Sequence, residues 1–466
     1  MQLIGRKREI EELTRLKESA QAEFVALYGR RRVGKTWLVR SFFRDNFTFY
    51  STGIARGNRL EQLRNFYKSI CSYSKTAPKQ PVDWYEAFDL LKDVIKRSRQ
   101  RKKVVFLDEL PWMDTQKSEF LKALDLFWNS WGSMQNSLLF IVCGSAASWM
   151  VKNIITSKGG LHNRLTCHLH LSPFTLAETR QYLHSQGVRW NEDLIAECYM
   201  IMGGIPYYLH LLDKSLSLAQ NIDRLFFAKN ALLKTEFDNL YKSLFRKSED
   251  YVKIISALGK KRSGHTRDDI ANATGLTNGG GMTRRLDELE QCGFIRRYKP
   301  VNGRSPLFQL VDFYSLFYLQ FINGTRHFDR EAWLHLQATP RYNTWLGLSF
   351  ERLCFAHVHA IHKALGITGV ATKTYPMQTA NAHMDMVIER ADKVVSLCEM
   401  KYTAKSYSIT KQEADKLRNR VEELKGCFST QKQVLVTLVS NCNSKKNAYY
   451  NSLIANNIIL KDLFSE

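Results

Sequence analysis

The chain has 466 residues, 44% of them hydrophobic and 12% aromatic, and carries a formal net charge of +23. That length predicts roughly three domains, and so apolar a composition excludes a disordered chain. The basic excess predicts a polyanionic partner, nucleic acid ahead of an anionic membrane surface, with plain solubility as the bland alternative; nine cysteines without a Cys-x-x-Cys pair argue against a disulfide framework or zinc ribbon and fit a reducing cytoplasm.

The amino terminus, MQLIGRKREI, has no apolar core of signal-peptide length. The longest apolar stretch, LLFIVCGSAASWMV, is too short to span a bilayer, so the expectation is a cytoplasmic protein without a membrane partner. FVALYGRRRVGKTW carries the first chemistry. Phe24 to Tyr28 suits a buried parallel strand, KTWLVRSFF reads as a helix, and Gly29, Gly34, Lys35 and Thr36 match G-x-x-x-x-G-K-S/T. The loop from Gly29 through Arg30, Arg31, Arg32, Val33 and Gly34, with Trp37 just inside the helix, closes backbone N–H groups around phosphates at a helix N-terminus. Lys35 reaches the β and γ phosphates and the Thr36 hydroxyl ligates Mg²⁺, so the expected cofactors are ATP and Mg²⁺.

KKVVFLDELPWMD supplies a second buried strand with Asp108 and Glu109 at its carboxyl end, where open α/β sheets place their sites. Asp108 is expected in the Mg²⁺ shell and Glu109 as the group that orients or activates water. A third strand ends at Gly144, Ser145 and Ser148. Ser145 is a candidate γ-phosphate sensor, against a turn that simply needs small residues. Arg164 of LHNRLT is a candidate phosphate-sensing or finger arginine, or a surface arginine.

LIGRKREIEEL, YGRRRVGKT, VVFLDELPWM, CGSAASWM, LHNRLTCHLHLSPFT and MGGIPYYL together resemble the archaeal-type ATPase family, in the signal-transducing branch of the AAA+ superfamily. The resemblance implies an AAA+ core followed by a helical lid, with Gly5 and Arg6 lining the nucleotide base and Pro206 closing over it. Taken alone, Gly203 and Gly204 before Pro206 mark only a helix stop and a tight turn.

From Asp250 the pattern becomes helix, break, helix, with Gly275 ending the second helix. A third helix carries Leu286, Leu289 and Cys292 on one face, and a hairpin turns at Asn302-Gly303. This describes a winged helix-turn-helix. Arg284 and Arg285 fall in the first turns of the third helix, and Arg296, Arg297, Lys299 and Arg304 on the wing suit phosphate contacts. Protein docking, or service as part of the lid, is the competing use. The aromatics of DFYSLFYLQFI read as core.

HMDMVIERADKVVSLCEMKY folds as a hairpin turning near Ala391 and Asp392. With a three-residue loop centred on Asp392, Asp385 lies opposite Glu399, and Glu399 shares a strand face with Lys401. A preceding helix carries Glu351 among apolar neighbours. Asp385 and Glu399 suit Mg²⁺, Lys401 suits water positioning and charge stabilisation, and Glu351 suits either completing the coordination or orienting an outer water. MDMVIERADKVVSLCEMKY resembles the PD-(D/E)-x-K nuclease superfamily, although Met384 stands where a proline is usual, and His383 has no assigned role. The expected α/β architecture is a P-loop AAA+ core (1–176), a helical lid (177–242), a winged helix (243–312), a helical connector (313–342) and a restriction-endonuclease-like domain (343–466). The rival expectation is a nucleotide-switched signalling or DNA-binding regulator with an inactive rear domain; a protein partner and a homo-oligomer stay open.

Overall fold

A computed structural model describes residues 3–74, 78–156, 159–161, 163–261, 264–299, 305–324, 331–379, 381–428 and 432–465. The chain divides once, into a unit spanning Met1–Pro173 and a unit spanning Phe174–Glu466.

The first unit is built on five parallel strands: β1 (Glu23–Tyr28), β2 (Phe49–Thr52), β3 (Lys103–Asp108), β4 (Leu138–Gly144) and β5 (Cys167–His170). They lie side by side in the order β2-β3-β4-β1-β5. Parallel strands need crossovers, which cover both faces of the sheet. Accordingly β1, β3 and β4 are almost continuously apolar and buried. The helices Arg59–Tyr73, Trp84–Arg97 and Phe120–Ser130 pack one apolar face, around Phe66, Trp84, Phe88, Phe120 and Phe127, against Phe24, Phe49 and Phe140 of the sheet. The first of these starts at a capping box between Asn58 and Glu61, which satisfies two helix-end N–H groups.

The second unit opens with the helices Leu176–Ser185, Glu192–Met202, Pro206–His210 and Leu232–Leu244. The helices Ser248–Leu258, Arg267–Thr274 and Gly280–Gln291 follow, then an antiparallel pair, β6 (Ile295–Tyr298) and β7 (Leu307–Leu310). Gly275 ends the middle helix in the left-handed conformation, and Leu286, Leu289 and Cys292 are buried. The expected turn at Asn302-Gly303, with Arg304, lies outside the described residues. Tyr314, Phe317 and Phe321 are buried in an aromatic cluster with Phe226, Trp333 and Trp345, and Phe313 is buried against Tyr199.

The helix Pro340–Ala356 leads into a second sheet: β8 (Thr372–Gln378), β9 (His383–Arg390), β10 (Val394–Lys401), β11 (Gln433–Ser440) and β12 (Ile454–Ile459). Its order is β12-β11-β10-β9-β8. The β8-β9-β10 half is antiparallel, and the β10-β11-β12 half is parallel. The helix Lys411–Gly426, started by a capping box at Thr410 and Glu413, makes the crossover between β10 and β11. Ala414, Leu417 and Leu424 are its buried face.

Candidate functional site

In the first unit, the loop between β1 and the helix Lys35–Phe43 is fixed by backbone geometry. Gly29 has φ +149°, and a Cβ there would stand 2.3 Å from the Leu171 carbonyl oxygen, so no other residue fits. Gly34 takes φ +90° at the start of the helix. Lys35 is buried, and its ammonium donates to the carbonyls of Gly29 (3.0 Å) and Arg30 (2.9 Å), which holds it against the loop. The Thr36 hydroxyl donates to Asp108 Oδ2 at 2.8 Å, joining the helix start to the end of β3. Burial raises the Asp108 carboxyl above its usual value and the charge of Glu109 adds to this, while the Thr36 hydrogen bond opposes it.

Glu109 sits in the left-handed region (φ 48°) and accepts from Ser145 at both Oγ (2.8 Å) and N (3.2 Å). The strand ends β3 and β4 thereby bring Asp108, Glu109 and Ser145 to one edge, beside the loop. Arg6, also left-handed and buried, donates to the Val33 carbonyl at 3.1 Å and so braces the loop from behind. Gly5 precedes it with φ 66°. Arg30 and Val33 are buried, Arg31 and Trp37 are exposed, and Arg32 adopts φ 73°. Arg164 is exposed on the segment before β5. Pro206 opens a short helix in the second unit, after Gly203 and Gly204, both left-handed.

In the second unit, β9 and β10 pair with Cys398 opposite Met386 and Leu397 opposite Val387, a register whose next step sets Glu399 against Asp385. Asp385 Oδ2 accepts the Met400 backbone N–H at 3.0 Å, and its Oδ1 lies 3.6 Å from His383 Nδ1. Glu399 is buried, with Lys401 Nζ 2.9 Å from Oε1 and Arg420 bonded to Oε2. Burial and the charge of Asp385 hold the Glu399 carboxyl above its ordinary value, against the pull of Lys401 and Arg420. Burial pulls the Lys401 ammonium down, but Glu399 outweighs it and the net shift is upward.

Glu351 and Asp385 line one pocket together with His383, Arg352, Phe355 and Pro376, and β6 and β7 contribute Arg296 and Gln309 to its wall. Arg420 is the member that spacing along the chain hides. Its signal is a charge in the apolar stripe of its helix, three residues after Leu417 and four before Leu424. Among the described residues, no three His, Cys, Asp or Glu side chains are gathered tightly enough to hold a metal ion.

Three of the basic residues expected to face nucleic acid also have partners within the fold. Arg285 pairs with Asp250. Arg297 pairs with Asp287 and, at 2.8 Å, with Glu290. Arg296 stacks on Phe355. The acids on neighbouring helices draw in the first two, and a ring face draws in the third. Arg284 and Lys299 are exposed.

Residues 3–212 match an ATPase domain found predominantly in Archaea. Over those residues the front of the chain thus resembles an ATPase domain, built on the P-loop described above. The chain is 25% identical over 359 residues to an uncharacterized protein of Methanocaldococcus jannaschii, covering 75% of this chain and 76% of that one. It also overlays the Walker-type ATPase of Pyrococcus abyssi with a TM-score of 0.50 and 18% identity, over 68% of this chain and 96% of that one. That overlay shows a shared fold, and it spans more of the chain than the first unit alone. Among the described residues no helix is long and apolar enough to cross a membrane.

Proposed function

We propose that the chain is an ATP-driven DNA enzyme in which a P-loop switch governs a carboxyl-terminal site that cleaves phosphodiesters. In the front site, the N–H groups from Gly29 to Trp37 bind the phosphates and Lys35 neutralises their charge. Glu109 orients water, Ser145 responds to the γ-phosphate, and Arg164 acts from a neighbouring subunit. Gly5 and Arg6 hold the base. The paired oxygens of Thr36 and Asp108 are hard donors and suit Mg²⁺, which supplies charge neutralisation when bound.

The observation that carries the rear assignment is the meeting of Glu351 and Asp385 in one pocket, beside the strand bearing Glu399 and Lys401. Mg²⁺ sites commonly use one or two carboxylates and leave the remaining positions to water and substrate phosphate, so an incomplete protein shell suits a nuclease. Asp385 and Glu399 would hold the cation, with water and substrate phosphate filling its other positions and Glu351 orienting a water, and the cation would supply Lewis-acid stabilisation of the phosphate. Lys401 positions the attacking water and stabilises developing charge. The net charge of +23 supports a DNA partner.

A second reading is favoured by one observation. Both oxygens of Glu399 are already paired, to Lys401 and Arg420. A carboxylate so neutralised attracts a divalent cation weakly, and this suits a nucleotide-switched DNA-binding or signalling protein that does not cut. Incubation of plasmid DNA with Mg²⁺ or Mn²⁺, with and without ATP, beside Lys401→Ala, separates the two. Cleavage lost in the variant supports the nuclease, and its complete absence in the wild type supports the regulator.

A further inference from the structure

Arg296 stands in β6, and its guanidinium lies 3.6 Å from the centre of the Phe355 ring. Its Nε donates to Gln309 Oε1 at 2.7 Å. Its neighbour Arg297 has two acidic partners, whereas Arg296 forms no ion pair among the described residues. The stacked plane and the Gln309 bond fix one edge of the guanidinium, and the group lines the pocket that holds Glu351 and Asp385. Arg352 lines the same pocket, anchored through Nε to the Leu310 carbonyl (3.3 Å) and through Nη1 to the Leu348 carbonyl (3.2 Å). Two guanidiniums therefore share one cavity with two carboxylates. Burial pushes Arg296 down to about 10, which still leaves it charged at neutral pH. The charge of Glu351 opposes that shift and the charge of Arg352 adds to it.

We infer that Arg296 is an oxyanion contact for a DNA backbone phosphate entering the Glu351–Asp385 pocket, so that the β6–β7 pair forms part of the cleavage site rather than a separate wing. The inference rests on the reading that this pocket receives DNA. An arginine held flat on a ring presents its remaining N–H groups in a fixed fork, the geometry that matches phosphate oxygens; a lysine keeps the charge and loses the fork.

The test is the affinity of the full chain for a fluorescein-labelled duplex in EDTA, across a salt series, with cleavage in Mg²⁺ measured alongside. Arg296→Gln is expected to weaken binding by about tenfold and to flatten the logarithmic salt slope by roughly one unit, the signature of one lost phosphate contact. Arg296→Lys is expected to keep the slope and lose about threefold in affinity. Wild-type affinity and slope in Arg296→Gln overturn the inference, and if cleavage by the wild type persists the nuclease reading survives it. DNA binding without cleavage, with the slope still flattened in Arg296→Gln, sinks the nuclease reading and leaves the phosphate contact standing. Should Arg296→Gln lose its folded structure, Arg296→Lys decides, and wild-type affinity there overturns the proposal.

Discussion

His357 is a buried imidazole whose protonation state the fold dictates. Its Nε2 accepts the backbone N–H of Leu176 at 2.9 Å, and its Nδ1 lies 2.9 Å from the Leu353 carbonyl. A backbone N–H can only donate, so Nε2 carries no proton and Nδ1–H donates to Leu353. A second proton would set N–H against N–H in a dry site. Burial accordingly pushes His357 from the ordinary 6.5 down to about 4, with the Leu353 carbonyl opposing.

Because the folded value is depressed, the unfolded chain takes up the proton first as pH falls. Stability from this group is complete above 6.5 and drains as pH drops towards 4. Between pH 7 and pH 5 the linkage amounts to about 2 kcal/mol. The assay is urea unfolding at both pH values, comparing wild type with His357→Gln, whose amide oxygen still accepts from Leu176 but does not titrate. The wild type should lose about 2 kcal/mol more than the variant over this interval. Equal losses in the two proteins, or an imidazole that titrates near 6.5 in the folded chain, would refute the reasoning.

Lys35→Ala should abolish binding of a fluorescent ATP analogue, whereas Glu109→Gln should bind it normally and lose about a hundredfold in phosphate release. Gly29→Ala sets a methyl group 2.3 Å from the Leu171 carbonyl oxygen, and should lower the melting temperature of the protein through about 1–3 kcal/mol of backbone strain. Arg420→Gln removes one of two cations from buried Glu399 and should raise that carboxyl further, moving the acid limb of any cleavage profile to higher pH.

The central strands of the first sheet were legible because parallel strands covered on both faces must be apolar throughout, and β1, β3 and β4 are. The register of β9 against β10 was legible for another reason: a short loop at Asp392 leaves few ways to align two alternating strands. Contacts between distant segments were not legible. Nothing near Gly29 announces Leu171 as the atom that excludes a side chain, and nothing near His357 announces Leu176. The partners of the wing arginines were not legible, for a physical reason. A run of basic residues reads as a surface, but Asp287 and Glu290 one helix away neutralise Arg297, and Phe355 on a later helix claims Arg296. The pairing of Glu399 with Arg420 crosses from a strand to the next helix and depends on how that helix rotates against the sheet.

The most direct test of the account is DNA cleavage by the full chain with Mg²⁺ or Mn²⁺, with and without ATP, for wild type, Lys401→Ala and Lys35→Ala. Metal-dependent cutting that vanishes in Lys401→Ala and changes with ATP only when Lys35 is intact is the predicted result. DNA left whole by the wild type under every condition would contradict the nuclease assignment and leave a nucleotide-switched binding protein in its place.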